Sequence, residues 1–542
     1  MKTKRVISII LCIAALTVAV YLGFASGQIP DADSPETLGR YLGVLSLVPT
    51  VLAVALAFLT GDVILSLFAG LIIGEMMLAA ISYNGFSSSI VSVLKNIVSE
   101  IAETVSDADN AKVLILCAMV GGMVGVIRSL GGFEAAAKQI SRKINTPRKA
   151  NLIGQLFCML FFFDDYANAL VSGPVLQPLT DKAKVSRERL SYIVDSTAAP
   201  MAGIAVVSSW VAVEISVISD GLKVAGSDMD AFGVFLKSIP YCFYCIFALV
   251  FILITSLQGR EYGPMLAAER RARKGETLKE GSKITFDSKD IETKGNEKAR
   301  IIIAFSCIAF LAIYALLSFI FTDGETIELL LQASLLASIV AIAAGAVKKL
   351  FTVSDGVSAY IDGASSLMPT IMVLVLAWSL AGVVSKLGTV FYVVDIISSG
   401  ISYRFVPAII FVSCCIVSFA TGSYGCMFMV MPMAVPIAFA VCDLNAGIDE
   451  VKFISLCVAS VLCGGIFGDH CSPMTDCTIL AALGSGCETM DHVVTQMPYA
   501  LTVAATSLIC ILLATSLTGA AVSLLAGIAA MTLIVRFVGQ KP

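Results

Sequence analysis

Apolar runs of bilayer length recur along the whole sequence, and about 20 apolar residues in a helix are enough to cross the hydrocarbon core. Of the 542 residues, 58% are hydrophobic and only 14% are charged, whereas a soluble protein carries roughly a quarter of charged residues. We therefore predict an all-α polytopic membrane protein with about 12 transmembrane helices. The runs fall near 6–24, 41–60, 63–82, 111–127, 190–219, 232–258, 301–321, 329–347, 366–384, 452–485, 494–514 and 516–536.

Composition and motifs argue against several other classes of protein. The net charge is −4 with no basic stripe, so no nucleic-acid partner is expected. The sequence has neither GxSxG nor HExxH, and its only histidines are His470 and His492. We therefore expect no enzyme and no cofactor, with a membrane-embedded enzyme as a remote alternative.

The charges of the loops predict the topology, because loops rich in Lys and Arg stay in the cytoplasm. Basic loops at 138–149, 182–189, 260–300 and 348–349 alternate with acidic loops at 100–109, 220–230, 323–328 and 443–450. Both termini then lie in the cytoplasm, and the bilayer is the cell membrane. The run 6–24 is expected to be a retained helix, and the alternative is a signal peptide.

Two apolar segments do not fit this alternation. Segment 151–181 begins and ends at basic loops on the cytoplasmic side, and 405–437 begins and ends on the outside. Each is predicted to be a re-entrant hairpin, with Asp164 and Asp165 near the first tip and 421–425 at the second. Irregular backbone at that depth is tolerated where it lines a protein or aqueous cavity.

The two halves of the chain are weakly similar in sequence, and the charges of their loops predict opposite orientations, as inverted-topology repeats require. Each half holds one hairpin and one interrupted helix, at 190–219 and at 452–485. The predicted divisions are N-terminal membrane helices (1–60), a first repeat (61–258), a cytoplasmic polar loop (259–300), a second repeat (301–515) and a C-terminal helix (516–542).

Polar side chains cluster at the hairpin tips and helix breaks, and ionisable groups at membrane depth usually mark an ion pathway. Carboxylate, hydroxyl and amide oxygens suit Na⁺, whereas the spacing of the second cluster matches no standard zinc pattern. The candidate ion- and proton-binding residues, with Na⁺ held at the same positions, are Asp164, Asp165, Asn168, Asp195, Ser196, Thr197, Thr421, Ser423, Asp469, His470, Ser472, Thr475 and Asp476.

These polar stretches resemble the NhaC-type Na⁺/H⁺ antiporters of the ion-transporter superfamily, and the likeness extends from about residue 60 to 515. The resemblance rests on 163–168, 178–181, 192–200, Ser209-Trp210 with Glu214, 419–423, and 468–476 followed by Thr478. It implies a secondary transporter of the cytoplasmic membrane that exchanges Na⁺ for H⁺. Some relatives move a carboxylate or an amino acid instead, and the superfamily suggests a homodimer with a moving domain.

A carboxylate away from water binds a proton readily, whereas a bound Na⁺ stabilises its charged form. One site can therefore hold either a proton or Na⁺, and this competition is enough for exchange across an alternating-access site. His470 is expected either to carry a second proton or to be hydrogen-bonded in a packed turn.

We predict that loops 182–189 and 443–450 lie on opposite sides of the membrane, because one is basic and the other acidic. Single cysteines placed in each loop, after removal of the native thiols, would be labelled with an impermeant maleimide from either face. Labelling of both loops from the same face would contradict the inverted repeat.

Overall fold

The computed structural model describes most of the chain. The described residues are 34–60, 62–82, 86–132, 135, 146–165, 168–206, 208–279, 297–321, 326–389, 391–392, 402–445, 447–473, 475–516 and 519–542. The apolar run 6–24 lies outside them, so the question of a retained helix or a signal peptide remains a prediction.

Helices make up almost all of the described residues, in which β-pairing is limited to one isolated bridge between Glu261 and Gln540. The α-helices are α1 (Pro35–Leu42), α2 (Val48–Thr60), α3 (Val63–Ser82), α4 (Phe86–Ser106), α5 (Ala108–Ser129), α6 (Pro147–Cys158), α7 (Gly173–Lys182), α8 (Arg187–Ala202), α9 (Val211–Val224), α10 (Ala231–Ser238), α11 (Phe243–Gln258), α12 (Gly263–Arg273), α13 (Glu297–Phe321), α14 (Thr326–Val347), α15 (Val353–Ser366), α16 (Met368–Lys386), α17 (Val406–Leu444), α18 (Glu450–Cys471), α19 (Asp476–Ser485), α20 (Thr489–Ser516) and α21 (Ala520–Val538).

Several of these helices are long and apolar enough to cross a membrane. Within the described residues there are 5 such spans, or 6 if α10 and α11, which are bent by 42° at their junction, form one span. The 5 spans are Asn110–Ser129, Thr421–Leu444, Glu450–Cys471, Thr489–Ser516 and Ala520–Val538. The total of about 12 spans remains a prediction.

The chain divides into two compact units, and each unit takes segments from both predicted repeats. The first unit contains Met1–Ala111, Ile215–Tyr241 and Pro369–Gly468. The second unit contains Lys112–Glu214, Cys242–Met368 and Asp469–Pro542.

In the first unit, α17 consists of two limbs that meet at Gly422, the middle of the predicted second tip. Gly422 has φ 71° and ψ 176°, a backbone conformation that is essentially restricted to glycine. The limb before it is tied to α18, because the Ser418 hydroxyl donates to the carbonyl of Gly464 at 2.8 Å. The second limb continues to Leu444, beyond the predicted end at residue 437.

In the second unit, α8 is the central element. Every residue from Glu188 to Pro200 is buried, and a helix that is buried on all faces belongs to the core. It packs against α6, α7, α11, α12, α19 and α20.

A buried ionic network anchors the first turn of α8. The guanidinium of Arg189 is fully buried, donates to the hydroxyls of Thr255 (2.8 Å) and Ser256 (3.1 Å), and pairs with Glu261 at 3.4 Å. The hydroxyl of Tyr499 also donates to Glu261. A buried ion pair needs further hydrogen bonds to offset its loss of hydration, and these contacts supply such bonds to both the guanidinium and the carboxylate.

We expect Gly173→Ala to destabilise the second unit, because α7 and α19 approach through their backbones. A Cβ at Gly173 would lie 2.6 Å from the carbonyl oxygen of Gly484, and such overpacking costs about 1–3 kcal/mol. At Gly154 a Cβ would lie 3.7 Å from Leu176 Cδ1, an ordinary contact distance, so Gly154→Ala is the matched control. Thermal unfolding of both purified variants in detergent is the measurement, and equal midpoints would contradict the prediction.

Candidate functional site

The first polar cluster lies at the turn between α6 and α7. These helices run antiparallel, since Ala150 packs with Leu179 and Gly154 lies opposite Leu176. A short 3₁₀ turn ends α6, and a π-helical turn at Asn168–Ser172 begins the return limb. The residues between them include Asp164 and Asp165, which are respectively 4% and 2% exposed.

The chain is interrupted between α8 and α9, and side chains satisfy part of the freed backbone. The hydroxyl of Ser208 donates to the carbonyl of Ala202 at 2.8 Å and accepts from the N–H groups of Trp210 and Val211 at 3.2 Å. The N–H of Ser209 donates to the carbonyl of Phe163 at 2.8 Å. The break after α8 is therefore joined directly to the turn of the hairpin.

The second break separates α18 from α19. The hydroxyl of Thr475 lies 3.2 Å from the carbonyls of both Asp469 and Ser472, and the hydroxyl of Thr478 also donates to the Asp469 carbonyl. Asp469 and Ser472 are buried. Asp476 is the first residue of α19, and its side chain lies outside the described part of the structure.

A direct contact joins this second break to the hairpin. The thiol of Cys477 donates to Oδ2 of Asp165 at 2.9 Å across 312 positions of sequence. Cys477 lies in the first turn of α19, where the helix dipole favours negative charge nearby. The two polar stretches singled out in the sequence therefore share one buried site.

Asn168 connects the hairpin to the middle of α8. Its Oδ1 accepts from the hydroxyl of Ser172 at 2.8 Å, and its Nδ2 lies 3.5 Å from the hydroxyl of Thr197. Thr197 donates in turn to the carbonyl of Ile193 at 2.6 Å. The neighbouring Ser196 is 2% exposed.

Asp195 lies in the middle of α8, so it caps no helix. It is fully buried, and its Oδ2 accepts from Nε2 of His492 at 3.2 Å and from Nε2 of Gln496 at 2.5 Å. The same Gln496 nitrogen also lies 2.9 Å from the carbonyl of His470. The Nδ1 of His470 lies 2.8 Å from the hydroxyl of Tyr244.

The structure groups most of the predicted residues in the second unit and two in the first. Thr421 and Ser423 flank Gly422 in the first unit, where both are buried and Thr421 donates to the carbonyl of Val417 at 3.0 Å. The second unit contains Asp164, Asp165, Asn168, Asp195, Ser196, Thr197, Asp469, His470, Ser472, Thr475 and Asp476.

Sequence reasoning missed four residues that contact this cluster: Tyr244, Cys477, His492 and Gln496. One signal was available, because His492 and Gln496 are separated by four positions and therefore share a helix face. Among the described residues, no group of three or more His, Cys, Asp or Glu side chains is arranged to hold a metal ion. The cluster consists of carboxylate, amide and hydroxyl groups and the thiol of Cys477, with two imidazoles at its margin.

Comparison with known proteins gives matches to transporters. A family model described as the Na⁺/H⁺ antiporter family matches residues 201–516, which include the second hairpin and the second break. An uncharacterised protein of Haemophilus influenzae is 30% identical over 480 residues, covering 85% of this chain and 89% of that protein.

Two solved structures share the fold. MtrF of Neisseria gonorrhoeae, from a class of antimetabolite efflux pumps, has a TM-score of 0.54 and 12% identity over 88% of this chain and 96% of its own. The YdaH transporter of Alcanivorax borkumensis has a TM-score of 0.53 and 12% identity over 79% of this chain and 89% of its own. Together with the apolar spans, they confirm the predicted all-α polytopic membrane fold.

Proposed function

This chain belongs to the Na⁺/H⁺ antiporter family, and from that membership we propose that it exchanges Na⁺ for H⁺ across the cytoplasmic membrane by alternating access. It is a multi-pass membrane transporter. We also propose that it lies in the cell membrane with both termini in the cytoplasm. The same proposal includes its assembly as a homodimer. The distribution of Lys and Arg among the loops supports that orientation.

One observation carries the proposal: buried carboxylates lie where the chain interrupts its own helices, and one of them joins the hairpin turn to the second break. Asp165 is 2% exposed and accepts from Cys477, so the hairpin turn and the first turn of α19 are adjacent. Burial of a carboxylate charge costs free energy, and a bound cation or a proton lowers that cost. Both proposed cargoes meet that requirement.

The proposed Na⁺ ligands are oxygen atoms from several elements. Asp164, Asp165 and Asn168 would contribute from the hairpin, and Asp195, Ser196 and Thr197 from α8. Ser472, Thr475, Asp469 and Asp476 would contribute from the second break, and His470 would carry or regulate a proton. Thr421 and Ser423, which belong to the first unit, remain candidates predicted from the sequence. Hard oxygen ligands of this kind suit a small alkali cation.

The proposed exchange requires that Na⁺ and H⁺ compete for the same carboxylates. A carboxylate in a poorly hydrated site holds a proton, and a bound cation stabilises the ionised form instead. Release of one cargo is therefore favoured by arrival of the other. Because the site binds only one of them at a time, each conformational cycle carries Na⁺ in one direction and H⁺ in the other.

Everted membrane vesicles test this function directly. A pH gradient is set up and followed by fluorescence quenching, and Na⁺, Li⁺, K⁺ and small organic acids are added in turn. Dissipation by Na⁺ or Li⁺ is the expected result. Dissipation only by organic acids or amino acids would favour the alternative, an ion-coupled carrier, which the shared fold with an antimetabolite efflux pump also permits.

We expect Asp165→Asn to abolish Na⁺-dependent proton movement, because an amide cannot take up and release the proton. Loss of a group essential for proton transfer reduces rates by a factor of about 10²–10⁴. Exchange in vesicles is the measurement, with insertion checked by the amount of purified protein. Asp164→Asn is expected to have the smaller effect of the two.

Asp181→Asn is the matched control. This carboxylate lies on the same return limb, and it pairs with Arg187 at 2.7 Å outside the polar cluster. The control should exchange at close to the wild-type rate. Wild-type exchange in both Asp164→Asn and Asp165→Asn would mean that the proton is carried elsewhere.

A further inference from the structure

The two oxygen atoms of the Asp195 carboxylate have different surroundings. Oδ2 accepts two hydrogen bonds, from His492 and from Gln496. Oδ1 is also buried, and it has no hydrogen-bond partner among the residues that the structure describes. An orphaned buried carboxylate oxygen is costly, so this asymmetry calls for a reason.

Both donors come from one face of α20. His492 and Gln496 are fully buried and lie four positions apart, so consecutive turns of the helix present them side by side. Gln496 lies at a junction of three elements, since its amide nitrogen also reaches the carbonyl of His470 at the end of α18. One side chain thus fixes α8, α18 and α20 relative to each other within the second unit.

The effect of the two donors is to hold the carboxylate plane. The terminal torsion of an Asp side chain is broad and roughly two-fold, so a carboxylate without partners samples a range of orientations. Two donors on one oxygen select one orientation and leave the other oxygen available. Residues that orient a metal ligand in this way typically contribute 10–100-fold to ion affinity.

We propose that His492 and Gln496 are positioning residues that direct Oδ1 of Asp195 towards the transported cation. The inference rests on the proposed function, in which Asp195 is an ion ligand. It assigns a role to two side chains of α20 that do not themselves touch the cargo. The alternative is that both side chains only brace the helix packing.

The test separates ion affinity from turnover. Gln496→Met keeps the approximate volume of the side chain and removes the donor. It should raise the Na⁺ concentration for half-maximal exchange by about tenfold, while the maximal rate at saturating Na⁺ stays within about twofold of wild type. Na⁺ titration of the purified protein by calorimetry should show the same loss of affinity without transport.

Gln155→Met is the matched control. Gln155 is also a buried glutamine of the second unit, and its amide donates to the carbonyl of Leu249 at 2.8 Å, away from Asp195. It should lower thermal stability without changing the half-saturating Na⁺ concentration. An equal affinity loss in Gln155→Met and Gln496→Met would overturn the proposal in favour of a general packing effect.

Substitutions at His492 provide a second, independent measurement should Gln496→Met fail to fold. His492→Gln retains a donor near the position of Nε2 and should keep Na⁺ affinity within about threefold, whereas His492→Leu should lose about tenfold. Equal affinity in His492→Leu and wild type would overturn the proposal.

If wild-type vesicles show no response to Na⁺, the proposed function fails and the inference fails with it. If wild type exchanges Na⁺ but the variants bind it normally, only the inference fails.

Discussion

An α-helix in apolar surroundings can stop only where its freed N–H and C=O groups find other partners. The described structure meets this constraint with hydroxyl groups next to each break. Ser208 serves three backbone groups between α8 and α9, and Thr475 and Thr478 both serve the carbonyl of Asp469 between α18 and α19. The polar residues are therefore concentrated at the interruptions, and the candidate ion site is a consequence of how the breaks are stabilised.

The same constraint brings distant parts of the sequence together. Side chains next to a break can satisfy its backbone groups, but the following helix still begins there and exposes its N-terminus. In the second unit, the N-terminus of α19 lies against the hairpin turn, where Cys477 contacts Asp165. The break after α8 is tied to the same turn by the bond from Ser209 to Phe163. The second unit thus holds two interruptions and one turn in a single buried cluster.

Features that break a helix could be predicted from the sequence, and features inside continuous helices could not. Polar and glycine residues located the hairpin turn, Gly422 and both interruptions, and the family resemblance was confirmed by the family match. Pro473 lies inside the second interruption, whereas Pro200 remains inside α8, which ends two residues later at Ala202. A proline can be accommodated in a membrane helix where neighbouring groups satisfy the freed backbone. His492 and Gln496 were missed because α20 has no break near them and their partner Asp195 is about 300 positions away.

Two buried networks on α8 differ in whether their charge is already matched. Arg189 and Asp195 are six positions apart, or about 9 Å along the helix. At Arg189 the charge is already matched by Glu261, and the guanidinium also donates to the hydroxyls of Thr255 and Ser256. At Asp195 the hydrogen-bond donors are the amide of Gln496 and the imidazole of His492, and Oδ1 has no hydrogen-bond partner among the described residues. A buried anion held by such dipoles stays in place while its charge remains available, so the first turn of α8 anchors the helix and the next turns carry the candidate ligands.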